Sequence, residues 1–335
     1  MATFSVYRLH FTAPLHIGSH QDDESQSQKT LSSDALYAAL TSCLAKSGND
    51  IPNDGDLGFS VSSLFPYYQR ETTSRPVYFL PMPLHVRGNK LQEASVAKKA
   101  KKVKWVDVAF FTDILSGRFD MNSSLSFVQE AYLTHVELPE DLDGSKEFVR
   151  SEVSQRVTLE CRTGKKDALP YFVDKVLFRH HAGLYFIAEG NMDKLDTALR
   201  LLSLEGLGTD RNVGFGYFNY QKDSISIELP QQSDYQIALS LLIPESEEQL
   251  KALLDSEQVA YDFTRVGGWI TTSPFTTLRK NAIYGFLPGS VLKCVYNGDS
   301  SPLGRIVDLQ PQIGSLTPDH PIWRCGRSLM LPVNI

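Results

Sequence analysis

The chemistry in this sequence is most concentrated between residues 206 and 216, Gly206-Leu207-Gly208-Thr209-Asp210-Arg211-Asn212-Val213-Gly214-Phe215-Gly216. Four glycines in eleven residues allow a backbone that turns sharply and approaches a ligand closely. Exposed amides with Arg211 and Asn212 beside them suit a phosphate. The stretch is not a Walker A loop, since Gly-Lys-Ser/Thr is missing, and it does not open a helix as a dinucleotide fingerprint does. A helix stop followed by a turn accounts for Gly206 and Gly208 equally well. It leaves Gly214 and Gly216 unexplained, because glycine at a strand start weakens the strand and usually marks a close backbone approach. Both readings stay open on the loop alone.

Two further groups carry chemistry. Between Arg87 and Lys104 lie seven basic residues, Lys98, Lys99, Lys101, Lys102 and Lys104 among them, against one acid, Glu93. This local balance of +6 sits in a chain of net charge −6. The overall charge argues against indiscriminate coating of nucleic acid, and the tract fits either a local binding surface or a solvated loop. The second group is histidine: His16, His85, His135, His180 and His181 are candidates for acid–base work. His16, just before Gly18, reads more simply as a half-buried residue ahead of a turn. The acids of the loop after Gly18 and the four scattered cysteines show no metal-ligand spacing, so no metal or cofactor is expected.

Elements must hold these residues in place. Leu195, Ala198, Leu199 and Leu202 recur at helical spacing from a start near Asn191, and Phe215 to Tyr220 reads as an aromatic-rich strand, so the glycine loop joins a helix to a strand. Residues 3 to 13 predict a first strand. Leu36, Ala39, Leu40, Cys43 and Leu44 predict a helix capped by Ser32 or Ser33. Phe59 to Tyr68 and residues 153 to 160 predict strands, and Tyr171 to Phe178 with Leu184 to Ala188 a hairpin about His180-His181-Ala182-Gly183. Apart from an insertion at about 70–140, the order is strand, helix, strands, hairpin, helix, strand. That is a ferredoxin-like plan, an antiparallel sheet backed by two helices. A second cycle begins near Ser224, with strands predicted over 235–243, 259–263, 283–295 and 327–333 and a helix after Pro244.

A hydrophobic share of 42% and a charged share of 21% place the chain among folded globular proteins rather than disordered ones. No apolar run approaches a bilayer span, and no export signal is visible, so a cytoplasmic protein is expected.

The order of landmarks resembles the RAMP proteins of CRISPR effector complexes, and among them the family of fourth subunits of type III-A Csm complexes. The landmarks are Ala13-Pro14-Leu15-His16-Ile17-Gly18 with Ser32-Ser33-Asp34-Ala35-Leu36; Arg162-Thr163-Gly164; the glycine loop; and Arg265-Val266-Gly267-Gly268-Trp269 with Arg279-Lys280 and Pro288-Gly289-Ser290. They run from residue 4 to about 291. The resemblance implies an α+β fold of two tandem ferredoxin-like (RRM-like) RAMP domains, 1–222 with the insertion and 223–335. It also implies a non-catalytic role in antiviral defence: gripping the single-stranded 5′ tag of the crRNA and joining the large Palm-domain subunit to the repeating backbone subunit. The RNA-binding residues it implies are His16, Ser33, Arg162, Lys165, Lys166, Gly206, Gly208, Arg211, Asn212, Gly214, Phe215, Gly216, Arg279 and Lys280. The basic tract would then resemble a thumb over the RNA. Other RAMP proteins cut precursor RNA with a histidine, which makes an endoribonuclease the alternative. The 119 residues after Gly216 favour the structural subunit, because in the processing enzymes this loop lies close to the C-terminus.

Overall fold

A computed structural model describes residues 1–18, 26–71, 74–87, 102–119, 126–128, 131–136, 147–159, 168–298, 301–314 and 317–335. The chain opens with β1 (Ala2–Phe11) and α1 (Ser33–Lys46), then β2 (Phe59–Val61), β3 (Phe65–Tyr68) and β4 (Val77–Pro81). A short α2 (Leu84–Arg87), β5 (Trp105–Asp107), α3 (Val108–Leu115), β6 (Ser126–Val128) and β7 (Tyr132–Thr134) follow. Next come β8 (Val149–Leu159), β9 (Ala168–Phe178), β10 (Ala182–Gly190), α4 (Met192–Glu205) and β11 (Phe218–Ile227).

The central sheet runs β11-β1-β10-β3-β4-β5-β7-β6, with β2 also on β10. β1 pairs antiparallel with β10 and with β11, and β10 pairs antiparallel with β2 and β3. Strand alternation sends Tyr7, Leu9, Phe11, Leu184, Phe186 and Ala188 to one face, where they bury the inner stripes of α1 and α4. Leu36, Leu40, Cys43 and Leu44 of α1 and Leu195, Ala198, Leu199 and Leu202 of α4 form those stripes, at the spacing the sequence showed. The opposite face, with Phe4, Val6, Tyr185, Ile187, Ile225 and Ile227, packs a second core shared with the C-terminal part of the chain.

Three expectations change. The predicted strand at 59–68 is two short strands: the Ser62 amide bonds Ile187 O, and the Ser63 amide turns away to Leu239 O. The described part of the 70–140 insertion is no separate outgrowth. β4 to β7 prolong the central sheet, and Phe110, Phe111, Ile114 and Leu115 of α3 enter the second core. Finally, β9 does not pair with β10 about His180. It pairs over eleven residues with β8, and residues 179–182 are a tight turn between two sheets.

The C-terminal part holds β12 (Ser233–Ala238), α5 (Glu247–Leu254), β13 (Phe263–Val266), β14 (Ile283–Phe286) and β15 (Val291–Tyr296). β16 (Ile306–Asp308), β17 (Trp323–Cys325) and β18 (Met330–Val333) complete it. Its sheet is β15-β12-β18, beside the two-stranded ribbons β13–β14 and β16–β17. The long strand predicted over 235–243 stops at Ala238, because Leu239, Leu242 and Ile243 bond instead to Leu329, Phe286 and Gly326. The 283–295 prediction resolves into β14 and β15 about the turn at Leu287–Ser290, and the β16–β17 ribbon has no counterpart in the sequence reading. The whole is an α+β protein with antiparallel sheets.

Candidate nucleic-acid interface

α4 aims the glycine loop. Its N-terminus is fixed by Asn191, whose side chain accepts from the Lys194 amide, and its apolar stripe anchors it to the core, so the chain leaves at Gly206 in one direction. The loop is then laced to the segment after β1. The Thr209 amide donates to His16 O (2.9 Å), the Gly216 amide to Pro14 O (2.8 Å), and the Leu207 amide back across the loop to Gly216 O (2.9 Å). Two glycines make this possible. A Cβ on Gly208 would collide with the His16 carbonyl, and one on Gly216 with the Leu207 carbonyl; both positions have positive φ, +88° and +76°. Above this lacing, Arg211–Val213 form one 3₁₀ turn ending at Gly214, whose Cβ position is open. Asn212, Val213 and Gly214 are exposed and Arg211 is half-buried.

The charges around the turn are arranged by β8. Arg156 reaches the loop, donating to Asp210 Oδ2 at 2.7 Å, and its guanidinium lies 4.9 Å from the centre of the buried Phe215 ring. Asp210 takes a left-handed conformation, φ +59°. Arg211 pairs at 3.5 Å with Glu205, which also binds Lys46 at 2.6 Å. Sequence reasoning missed Arg156 and Asp210. Arg156 sits in an ordinary alternating strand, and only the β8–β9 pairing turns it toward the loop.

His16 is 3% exposed, and its Nδ1 donates to the Asp174 carbonyl of β9 at 2.5 Å. The Asp174 carboxylate accepts from the Ser27 amide and the Ser151 hydroxyl. Leu15 and Val176 exchange backbone bonds beside it. His16 thus clamps the β8–β9 hairpin to the loop after β1, and Gly206, Phe215 and Gly216 are likewise buried scaffold. Of the loop residues named from sequence, Arg211, Asn212 and Gly214 stand at the surface.

Ser33 does not join this group. It is buried, accepts from the Leu241 amide (2.8 Å) and donates its own amide to Ser63 Oγ, which ties the two parts of the chain together. Its hydroxyl and amide are thus engaged within the protein, away from the RNA contacts among which the resemblance counted it. Lys280 lies near it, with Arg324 and Asp34 at the start of α1; burial, and then the Arg324 charge, push its ammonium pKa down to about 8. Arg279 is exposed, stacked 4.7 Å from the Trp269 ring centre. Arg162, Lys165, Lys166, Lys98, Lys99 and Lys101 lie outside the described residues. Lys102 and Lys104 are exposed, and the backbone of Lys104 is fixed between Ala131 O and the Met82 amide.

Residues 231–333 match the family described as the CRISPR Csm4 C-terminal domain. The chain is 27% identical over 225 residues to CRISPR system Cms protein Csm4 of Thermococcus onnurineus (strain NA1), covering 63% of this chain and 64% of that protein. To the Csm4 protein of Streptococcus thermophilus it is 23% identical over 326 residues, 92% of this chain and 93% of that one. In fold it is similar to a chain of the Csm3–Csm4 subcomplex of the type III-A CRISPR-Cas interference complex, at TM-score 0.65 and 16% identity over the full length of both. A chain of the Csm1–Csm4 cassette in complex with cA4 matches at TM-score 0.59 and 18% identity, over 100% of this chain and 99% of that one.

Proposed function

We propose that this chain, a Csm4-like RAMP subunit, works in a type III CRISPR effector complex and there grips the single-stranded 5′ tag of the crRNA. In this reading it also joins the large Palm-domain subunit to the repeating backbone subunit, works in the cytoplasm, and catalyses nothing itself. The similar structures pair Csm4 with Csm1 and with Csm3, which supports the two protein partners. We read residues 1–222 and 223–335 as tandem ferredoxin-like halves. The strand order β11-β1-β10-β3 with α1 and α4 on one face supports the first, and the β15-β12-β18 sheet with α5 is the reduced second.

One observation carries the RNA reading. The loop after β1 and the glycine loop are laced backbone to backbone, so that Arg211, Asn212 and Gly214 are held out beside the β8–β9 hairpin, which meets the turn through Arg156. Backbone dipoles and an arginine on a rigid turn bind a flexible single strand without ordering the protein first. The buried state of His16 and its bond to Asp174 O favour this reading over the endoribonuclease, since Nδ1 is occupied in holding the hairpin. Among the described residues no helix is long and apolar enough to cross a membrane.

The test is the assembled complex carrying Arg211→Ala and Asn212→Ala. Loss of a charge-assisted phosphate contact is expected to lower captured crRNA by roughly fivefold to tenfold, with the protein subunits still assembled. Unchanged RNA content and unchanged 5′ ends would overturn the tag reading. The purified chain is expected to leave a repeat RNA uncut; cleavage that disappears in His16→Ala would replace this reading with the enzyme.

A further inference from the structure

Three imidazoles and a guanidinium meet on the face of the central sheet turned away from α1 and α4, at the end of β1. Arg8 and His10 stand directly opposite Gln221 and Asn219 of β11. Tyr67 comes from β3, and His180 and His181 from the turn before β10. Together they line a cavity of about 290 Å³, near the small end of the range for ligand sites and suited to a single nucleotide-sized group.

The cavity is built rather than incidental. Its floor is the buried Tyr67 ring, which lies across β10 only because residue 183 is glycine; a Cβ there would strike the Leu9 carbonyl and come within 2.9 Å of Tyr67 Cε1. Arg8 stands 5.7 Å from the centre of that ring. The Arg8 side chain is fixed by Gln69 Oε1 (3.0 Å) and Gln221 Oε1 (2.9 Å) and faces Asp223 at 3.5 Å. A guanidinium carries five N–H donors, so these partners leave some of them for a ligand. His181 is held at φ +67°, uncommon for a residue with a side chain. The Gln69 amide bonded to His181 O and the Ala182 amide bonded to Arg179 O fix that turn. The His180 ring lies 3.9 Å from that of His181 and 6.3 Å from that of His10, centre to centre.

The donors of the lining select the ligand. Asp223 already accepts from Tyr78 Oη at 2.6 Å and faces Arg8, and Glu71 is the acid that acts on His181. Among the described residues of the lining, Arg8 is the one permanent positive charge, and the three imidazoles add N–H donors that gain charge only on protonation. The described residues contain no group of histidine, cysteine and acids arranged to hold a metal ion.

We propose that this pocket is a phosphate site, seating one phosphate of a nucleotide or of single-stranded RNA against Arg8 as permanent charge and His10, His180 and His181 as N–H donors. Burial and the neighbouring His180 hold His10 below the ordinary imidazole pKa, against a hydrogen bond to the Ala182 backbone that raises it, and burial with His180 and His10 lowers His181 likewise, only partly offset by Glu71. An arriving anion favours their protonated forms, so binding tightens as pH falls. The chemistry of the pocket stands by itself; only the assignment of the phosphate to RNA rests on the tag-binding reading.

The test uses the full chain labelled with ¹⁵N-histidine and follows the imidazole signals by NMR. One titration is with inorganic phosphate and the other with a single-stranded RNA octamer, whose phosphodiesters keep their charge from pH 6 to 8. The His10 and His181 signals are expected to move toward the protonated form, and octamer affinity to fall by roughly threefold to tenfold from pH 6 to pH 8. His180→Gln with His181→Asn, placed in a surface turn where asparagine accepts a positive φ, is expected to weaken that pH dependence, leaving the part carried by His10, without changing the melting temperature. His10→Gln serves as an independent second variant. Movement with both probes identifies a site open to free phosphate, and movement with the octamer alone a site on the RNA path. No movement with either probe, or an unchanged pH dependence in both variants, overturns the proposal. Because inorganic phosphate reports on the pocket without any tag, a failed tag reading and a failed phosphate site give different results.

Discussion

At the scale of single residues, the four glycines of the loop divide into two kinds that their spacing could not separate. Gly216 is packed against the Leu207 backbone, whereas nothing lies within 4 Å of a Cβ on Gly214. Gly216→Ala is therefore expected to cost about 2–4 kcal/mol of stability, from collision and positive φ together. Gly214→Ala is expected to cost about 1–2 kcal/mol, from φ alone. Urea denaturation of the two variants measures the difference, and equal losses would contradict the geometry. It follows that Gly214→Ala tests RNA capture on an intact fold and Gly216→Ala does not. Lys280 gives a second expectation. Its folded pKa of about 8 lies below the ordinary 10.5, so between those values the unfolded chain binds more protons and stability rises with pH. Lys280→Met removes that penalty: the variant is expected to be the more stable at pH 7.5 and to lose the rise toward pH 10, read as urea midpoints. The types Gly, Arg and Asn suggested phosphate chemistry from the sequence. The burial of Lys280 and Ser33 was not, because a serine or lysine buried by a distant segment reads like any surface residue.

At the scale of elements, the β8–β9 hairpin is the part the sequence misassigned. The turn at residues 179–182 has every local mark of a hairpin turn, yet β9 pairs back with its neighbour β8, and only the long-range pairing with β1 takes β10 into the central sheet. Helices α1 and α4 were read well, because four or five apolar positions at helical spacing specify both the element and its inner face, whereas α3 inside the insertion was not read. The hairpin carries exposed Val153, Val157 and Phe172 and touches the glycine loop through Arg156, by one ion pair with Asp210 and one stack on Phe215. Arg156→Ala is expected to cost about 1–2 kcal/mol locally. Amide hydrogen exchange should then quicken in 149–159, 168–178 and 210–216 and stay unchanged in α1 and α4. Uniform acceleration across the protein would show that Arg156 supports the whole fold rather than this joint.

At the scale of the whole molecule, the two halves inferred from element order share a core. Ile237, Leu239, Leu331 and Val333 of the second part pack with Phe4, Val6 and Ile187 of the first. Beside them Ser240 Oγ donates to Val61 O at 2.8 Å, and Ser33 accepts from the Leu241 amide. Sequence suggested a second cycle but not this joint, because strand alternation reveals that a face is apolar without saying what covers it. A single cooperative thermal transition is expected, with no separate melting of 1–222 and 223–335. Ser33→Ala, which strips the Leu241 amide of its acceptor, is expected to cost about 1–3 kcal/mol and to lower that one transition. Two resolved transitions by calorimetry, or loss confined to one half, would contradict a shared core.

The pairing of β1 sets the timetable on which the chain can fold. Ala2 lies opposite Ile227, and Ser5 opposite Ala188, so the first strand made has both its neighbours nearly two hundred residues or more downstream. At synthesis rates of about 5–20 residues per second, β1 leaves the ribosome roughly ten seconds or more before either partner exists. Through that interval its apolar alternation, Phe4, Val6, Leu9 and Phe11, has no sheet to enter. The nascent chain is thus at its most vulnerable early, and the helices, which close locally, have to wait for their sheet. Sheet completion coincides with the emergence of β11, directly after the glycine loop. The segment proposed to meet RNA is then among the last pieces of the first half to be made, just ahead of the strand that completes the sheet.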